Sequence, residues 1–282
     1  MRVALVFVCL LAAGGAGAQD RYFDSLRYFD IGAGPPVLLI HGFTASIEPA
    51  WIETGILPDL ARDYRVIAFD LRGHGKSGKP HDPRAYDELG SDAIRLLDHL
   101  GIEKTHAVGY SLGGIIVIKL LTTHPRRFLS AVLGGAAYRR SQSERADRAA
   151  DEAAREIEGG VYRALLVSTA PTDEPPLTEA FIFKRSSEIA ALNDLKAHAA
   201  LMRARRALIV TDAEIAGIRV PALAVVGAAD PALPRVKAMQ ALWPALELQV
   251  VAGATHPTVH PRGLPRRSEF LAAIRRHIAA RP

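Results

Sequence analysis

The sequence predicts an α/β fold, with a mostly parallel sheet covered by helices on both faces. Three observations predict it. Short continuous apolar runs, such as Val37-Leu38-Leu39-Ile40, read as strands buried on both faces. These runs alternate with segments whose apolar residues fall at helical spacing, the rhythm of strands joined by helical crossovers. Several runs also stop at glycine-bearing loops with polar side chains, and ligands bind at such strand ends in open parallel sheets.

In chain order, Arg21 to Ile31 alternates loosely and fits one or two edge strands, closed by Gly32-Ala33-Gly34-Pro35-Pro36. Val37 to Ile40 is a buried strand ending in His41-Gly42-Phe43. Trp51 to Arg62 has Ile56, Leu57 and Leu60 at helical spacing. Tyr64 to Phe69 is the next strand and stops at Asp70-Leu71-Arg72-Gly73-His74-Gly75-Lys76-Ser77. Ala93, Leu96, Leu97 and Leu100 place a helix before Gly101, and Thr105 to Val108 returns to strand. After the apolar helix Ile115 to Leu121, Phe128 to Leu133 is one more strand. From Tyr138 to about Ala216 the chain is Ala/Arg/Glu-rich and helical in period, with Ala207 to Val210 its one strand-like run. Alternation resumes with strands Pro221 to Val226 and Leu246 to Val251 and helices Val236 to Trp243 and Phe270 to Ala279.

The 282 residues are 49% hydrophobic and 23% charged, ordinary for a soluble globular enzyme. Net charge is +5, but the basic residues are interleaved with acids, which argues against a nucleic-acid partner. Residues 1–18 resemble a secretory signal: Arg2, an apolar core Val3 to Ala12, and the small-x-small site Ala16-Gly17-Ala18. That core is too short for a comfortable membrane span, so an exported protein with no stable membrane insertion is expected. The single cysteine, Cys9, falls inside this leader, so the mature chain has no disulfide, thiolate metal site or cysteine nucleophile.

The chemistry centres on Gly109-Tyr110-Ser111-Leu112-Gly113. A sharp strand-to-helix turn lifts a serine hydroxyl clear of the sheet and aims the first helical N–H groups at whatever it attacks. Gly109 and Gly113 are expected to be glycine because a side chain there would press into the neighbouring strand or helix. Asp230, in Gly227-Ala228-Ala229-Asp230-Pro231, and His256, in Gly253-Ala254-Thr255-His256, follow two later strands. His256 would take the serine proton while Asp230 orients the imidazole and stabilises its charged form. His260 is the rival base, and Asp230 could instead be a turn or helix-capping residue. The oxyanion of a tetrahedral intermediate would be met by the backbone N–H groups of Leu112 and Phe43. His41 is expected to brace its loop, and Asp70, Arg72 and His74 to fix the glycine-rich loop by hydrogen bonds.

With these stretches in view, the chain resembles the α/β-hydrolase superfamily, and most closely its serine-nucleophile esterase, lactonase and C–C hydrolase branch. His41-Gly42-Phe43, Asp70 to Ser77, Gly109 to Gly114, Gly227 to Asp230 and Gly253 to His256 carry the resemblance, in the family order. It implies an α/β-hydrolase core of residues 19–137 and 217–282 with a helical cap inserted at 138–216. Related dehalogenases and epoxide hydrolases carry aspartate where Ser111 stands, so an alkyl-enzyme is not expected.

The expected function is hydrolysis of a small carboxylic ester or lactone through an acyl-enzyme on Ser111. The alternatives are a C–C bond hydrolase of β-diketone-like substrates and a weakly catalytic binding protein on the same fold. No metal cluster, phosphate loop or dinucleotide fingerprint is present in the sequence, so no cofactor is implied. The oligomeric state is left open.

Overall fold

The computed structural model describes residues 20–140, 143–259 and 267–281. The expected signal peptide and His260 lie outside the described residues. The core is an eight-stranded sheet ordered β1-β2-β4-β3-β5-β6-β7-β8. β1 (Arg21–Phe23) and β2 (Leu26–Ile31) form an antiparallel hairpin, and β2 runs antiparallel to β4 (Arg65–Phe69). From β4 onward the neighbours are parallel: β3 (Pro36–Ile40), β5 (Thr105–Tyr110), β6 (Phe128–Gly134), β7 (Ala222–Gly227) and β8 (Leu246–Val251).

Alternation of side chains divides the continuous apolar strands between two cores. Leu38 and Ile40 of β3, with Ile67 and Phe69 of β4, face one core. That core is completed by α2 (Ser91–His99) and α3 (Leu112–Thr123). Val37, Leu39, Val66 and Ala68 face the other, under α1 (Ile56–Leu60) and α11 (Arg267–Ala279). Both faces of the sheet are covered, which is why these strands read as unbroken hydrophobic runs.

Two expected elements differ. The helix read over Trp51 to Arg62 is broken: a five-residue π-helical turn (Glu48–Ile52) is separated from α1 by Gly55 at φ 72°. A left-handed residue ends a helix, and glycine adopts that conformation without a steric penalty. The strand-like run Ala207 to Val210 is a tight 3₁₀ turn (Ala204–Leu208) followed by a single bridge from Ile209 to Arg139. Its apolar side chains Leu208 and Val210 pack into the core without joining the sheet.

Between β6 and β7 the chain inserts five helices, α4 (Glu144–Glu158), α5 (Arg163–Thr169), α6 (Glu179–Ala190), α7 (Leu195–Arg203) and α8 (Asp212–Gly217). Ala153, Ala154 and Ile157 of α4 pack with Tyr162, Ala199 and Met202 into a small core of their own, which Phe43 also touches. On the other side of α7, Ala200 and Leu201 join the main core. α7 therefore packs against both the inserted helices and the main core.

Two polar devices tie the front of this assembly together. Arg27, buried on β2, forms ion pairs with Asp20 at 2.6 Å, with Asp70 at 3.1 Å and with Glu48. Burial disfavours its charge, but hydrogen bonds to Glu48, Asp20 and Asp70 more than offset this and hold its pKa above the usual value. The Asp70 carboxylate also accepts backbone N–H bonds from Ile47 and Lys76, so it organises the loops after β3 and β4 together. The second device is a histidine stack. His41 accepts the Leu71 N–H at Nε2 (3.0 Å) and donates from Nδ1 to the Gly42 carbonyl (2.8 Å), bracing the loop after β3. His74 packs edge-on to His41 and lies 4.5 Å, ring to ring, from His198 of α7, whose Nδ1 shares a hydrogen bond with Tyr162 Oη (2.9 Å).

Desolvation dominates the titration of all three stacked histidines, lowering His41 and His74 and bringing His198 to about 4. Above the unfolded value of about 6.5 both states are neutral and the shift costs nothing. As pH falls below that, the unfolded chain binds protons that the native stack refuses, and stability declines until the native groups also titrate. Between pH 7 and about 4.5, thermal unfolding should therefore shift to lower temperature, and His198→Phe should flatten that slope; an unchanged slope would exclude His198 as a source. Arg27→Met leaves Asp70 buried without its counter-ion and should cost about 3–5 kcal/mol in urea unfolding. Adding Asp70→Asn should recover part of that loss, a coupling readable in a double-mutant cycle.

Candidate active site

Strand order reverses between β3 and β5: the chain leaves β3 for β4 on one side, then returns to place β5 on the other. This is the switch point at which open parallel sheets leave a crevice. Ser111 stands there, between the end of β5 and the first residue of α3, at φ 51° and ψ −114°. A non-glycine residue in that region costs about 1–3 kcal/mol and persists only where its surroundings hold it. Here the Ser111 N–H donates to the Gly134 carbonyl of β6 (2.8 Å), and its carbonyl accepts from Ile115 N–H inside α3. A side chain at Gly113 would overlap the Ile40 carbonyl oxygen of β3, and one at Gly109 would overlap the Gly113 carbonyl. The two glycines let strand and helix close up tightly enough to enforce the turn.

The structure brings three of the expected side chains into one relay. Ser111 Oγ lies 3.1 Å from His256 Nε2, and His256 Nδ1 lies 2.9 Å from Asp230 Oδ2. Asp230 is 1% exposed, and its other oxygen accepts the Ala232 N–H at 2.8 Å. It thus serves the tight turn and the imidazole at once, so the turn role and the relay role weighed for it coexist. His256 begins α10 (His256–Val259), and its carbonyl accepts the Tyr110 hydroxyl, so the serine's neighbour on β5 also fixes the histidine backbone.

Gly135 is a site position that sequence reasoning does not single out. It lies at φ 53° just past β6, and a Cβ there would stand 3.0 Å from His256 Cε1 and 3.2 Å from Asp230 Oδ2. The signal was present as the Gly134-Gly135 pair: the strand end next to the elbow must leave room for the imidazole.

Leu112 is the first residue of α3, where N–H groups have no intrahelical acceptor. Phe43 lines the same cavity as Ser111 and Leu112, and Gly42 beside it lies against Ser111, where an added Cβ would stand 3.3 Å from the serine Cβ. The Phe43 ring rests 4.6 Å from that of His198, which links this loop to α7. His41, Asp70, Arg72 and His74 stay outside the relay. Arg72 forks onto Asp92 with bonds of 2.6 and 3.1 Å, while His74 Nδ1 bonds the Arg72 carbonyl at 3.1 Å. Among the described residues, no group of three or more His, Cys, Asp or Glu is placed to hold a metal ion, and no helix is long and apolar enough to cross a membrane.

Comparison with known proteins agrees with this architecture. A family model described as the alpha/beta hydrolase fold matches residues 35–261. The chain is 40% identical over 124 residues to a 2-hydroxymuconate semialdehyde hydrolase of Pseudomonas sp. (strain CF600), a match covering 43% of this chain and 41% of that protein. It spans less than half the length of the curated relatives it matches first. Among solved structures, an esterase from Thermogutta terrifontis superposes with a TM-score of 0.72 at 22% identity, covering 90% of this chain and 93% of that one. An enol-lactonase from Burkholderia xenovorans LB400 gives 0.69 at 23% identity, covering 90% and 95%. The strand order, the turn at Ser111 and the extent of the family match together place this chain in the α/β-hydrolase family.

Proposed function

We propose that the protein is a serine hydrolase that cleaves a small carboxylic ester or lactone through an acyl-enzyme on Ser111. The observation that carries this reading is the unbroken relay from Ser111 Oγ through His256 to buried Asp230, opening on cavities of about 210 and 310 Å³. His256 Nε2 takes the hydroxyl proton as Ser111 Oγ attacks the scissile carbonyl. Asp230 holds the proton on Nδ1 and stabilises the imidazolium. The N–H groups of Leu112 and Phe43 donate to the oxyanion, and His256 returns the proton to the leaving alkoxide. Water, deprotonated by the same histidine, then releases the acid. The inserted helices roof the site, which favours small or medium substrates over polymers. On the strength of residues 1–18 we place the mature protein outside the cytoplasm.

A second reading is C–C bond hydrolysis of a β-diketone-like substrate. The 40% identity to a protein named 2-hydroxymuconate semialdehyde hydrolase favours it, and it would use the same three residues. A panel of p-nitrophenyl esters, lactones and diketones separates the two.

Ser111→Ala should lower hydrolysis by on the order of 10⁴-fold or more and abolish labelling by a fluorophosphonate, with Asp230→Asn losing about 10⁴-fold in kcat. Folded wild-type protein that neither labels nor turns over any member of the panel would sink the hydrolase reading. Gly135→Ala should lower kcat at least tenfold, because the added methyl crowds His256 and Asp230. Activity within twofold of wild type would mean that the imidazole position is not limiting.

A further inference from the structure

Ser111 and His256 line two cavities that differ in the charged side chains they hold. The larger is walled mainly by apolar side chains of the insertion, including Leu165, Leu166, Phe181 and Ile189 of α5 and α6 and Leu177 between them. The smaller is lined by three arginines from separate parts of the chain. Arg139 follows β6, Arg205 lies in the 3₁₀ turn after α7, and Arg235 sits in the first turn of α9 (Leu233–Leu242). Among the described residues none of the three pairs with a carboxylate. The acid that shares their cavity, Asp230, is already engaged by His256 and Ala232.

Several arginines elsewhere in the insertion find acids, while Arg145, Arg155 and Arg206, which do not, are exposed to solvent. Arg140 pairs with Asp212, Arg163 with Glu156 and Glu179, and Arg203 with Glu158. Arg185, at the apolar cavity, pairs with Glu188. The trio differs. Arg139 Nε is buried without a hydrogen-bond partner. Arg205 donates from Nη1 to Met202 Sδ (3.0 Å), a weak acceptor for a group with five N–H donors. Burial, and then the nearby Arg235, both work against the charge on Arg205. Arg139 and Arg205 are half-buried and Arg235 is exposed, so an anion bound among them would offset the desolvation of the two deeper guanidinium groups. Planar guanidinium forks match a carboxylate in a bidentate manner.

We propose that the substrate carries a free carboxylate on one side of its scissile carbonyl and an apolar group on the other. The carboxylate is held by Arg205 with Arg139 and Arg235, and the apolar part occupies the chamber under α5 and α6. The inference rests on the hydrolase reading and narrows it to esters or lactones of dicarboxylic or related acids.

The test compares monoethyl glutarate with ethyl pentanoate, a neutral ester of similar length. Wild type should prefer the anionic ester by about tenfold or more in kcat/KM. Arg205→Gln should reduce that ratio at least tenfold, chiefly by raising KM for the anionic ester, and Arg205→Lys should restore part of it. A wild-type ratio at or below one, or a ratio that Arg205→Gln leaves unchanged in protein shown by circular dichroism to be folded, overturns the proposal while the hydrolase reading stands. Calorimetry of glutarate with Ser111→Ala protein provides a readout free of turnover. Binding that weakens at least tenfold when Arg205→Gln is added supports the anion site even if neither ester is cleaved; absent or unaffected binding overturns it.

Discussion

The close approach of α3 to β3 is the constraint on which this molecule depends. Gly113 lets the first turn of the helix sit against the Ile40 carbonyl, and that contact holds Ser111 at its positive φ. Relaxed to an ordinary conformation, the serine would turn toward the sheet and the distance to His256 would be lost. The backbone strain, of the order of a few kcal/mol, is offset by the surrounding core: both flanks of the turn are buried, and the Ser111 N–H is anchored on β6. Reactivity at the site is therefore supported by packing in the sheet.

From that turn the remaining parts acquire their places. Asp230 and His256 come from loops after β7 and β8, which lie at increasing distance from β5 along the sheet, and the Gly135 position leaves room for both side chains. Phe43, after β3, faces the elbow on one side and the histidine stack on the other. α7 thus touches the same loop that carries an expected oxyanion donor. The contact is made by buried imidazoles, whose pKa values burial lowers.

Much of the fold and of the candidate site was legible because its signals are local. Unbroken apolar runs mark doubly covered strands, and Ser111, Asp230 and His256 each follow such a run within a few residues. The helix read across Trp51 to Arg62 was misjudged because helical spacing of Ile56, Leu57 and Leu60 says nothing about the backbone angle at Gly55. The run Ala207 to Val210 has strand-like composition, yet its apolar side chains find their burial against the core from a turn. The Gly134-Gly135 pair is visible in the sequence, but the imidazole it makes room for comes from a loop more than a hundred residues away.

The sequence by itself determined the layer architecture, the serine at the turn after β5 and the order in which Ser111, Asp230 and His256 follow their strands. Hydrophobic period and glycine placement are properties of consecutive residues, so no partner element is needed to read them. Tertiary structure alone decided that His198 stacks on His74, that Gly135 makes room for the imidazole, and that Arg139, Arg205 and Arg235 share a cavity with Ser111. Those three arginines look in the sequence like many others in an evenly charged chain. Their significance comes from being brought together beside Ser111 where, among the described residues, none of them pairs with a carboxylate, and that depends on how the inserted helices pack over the sheet.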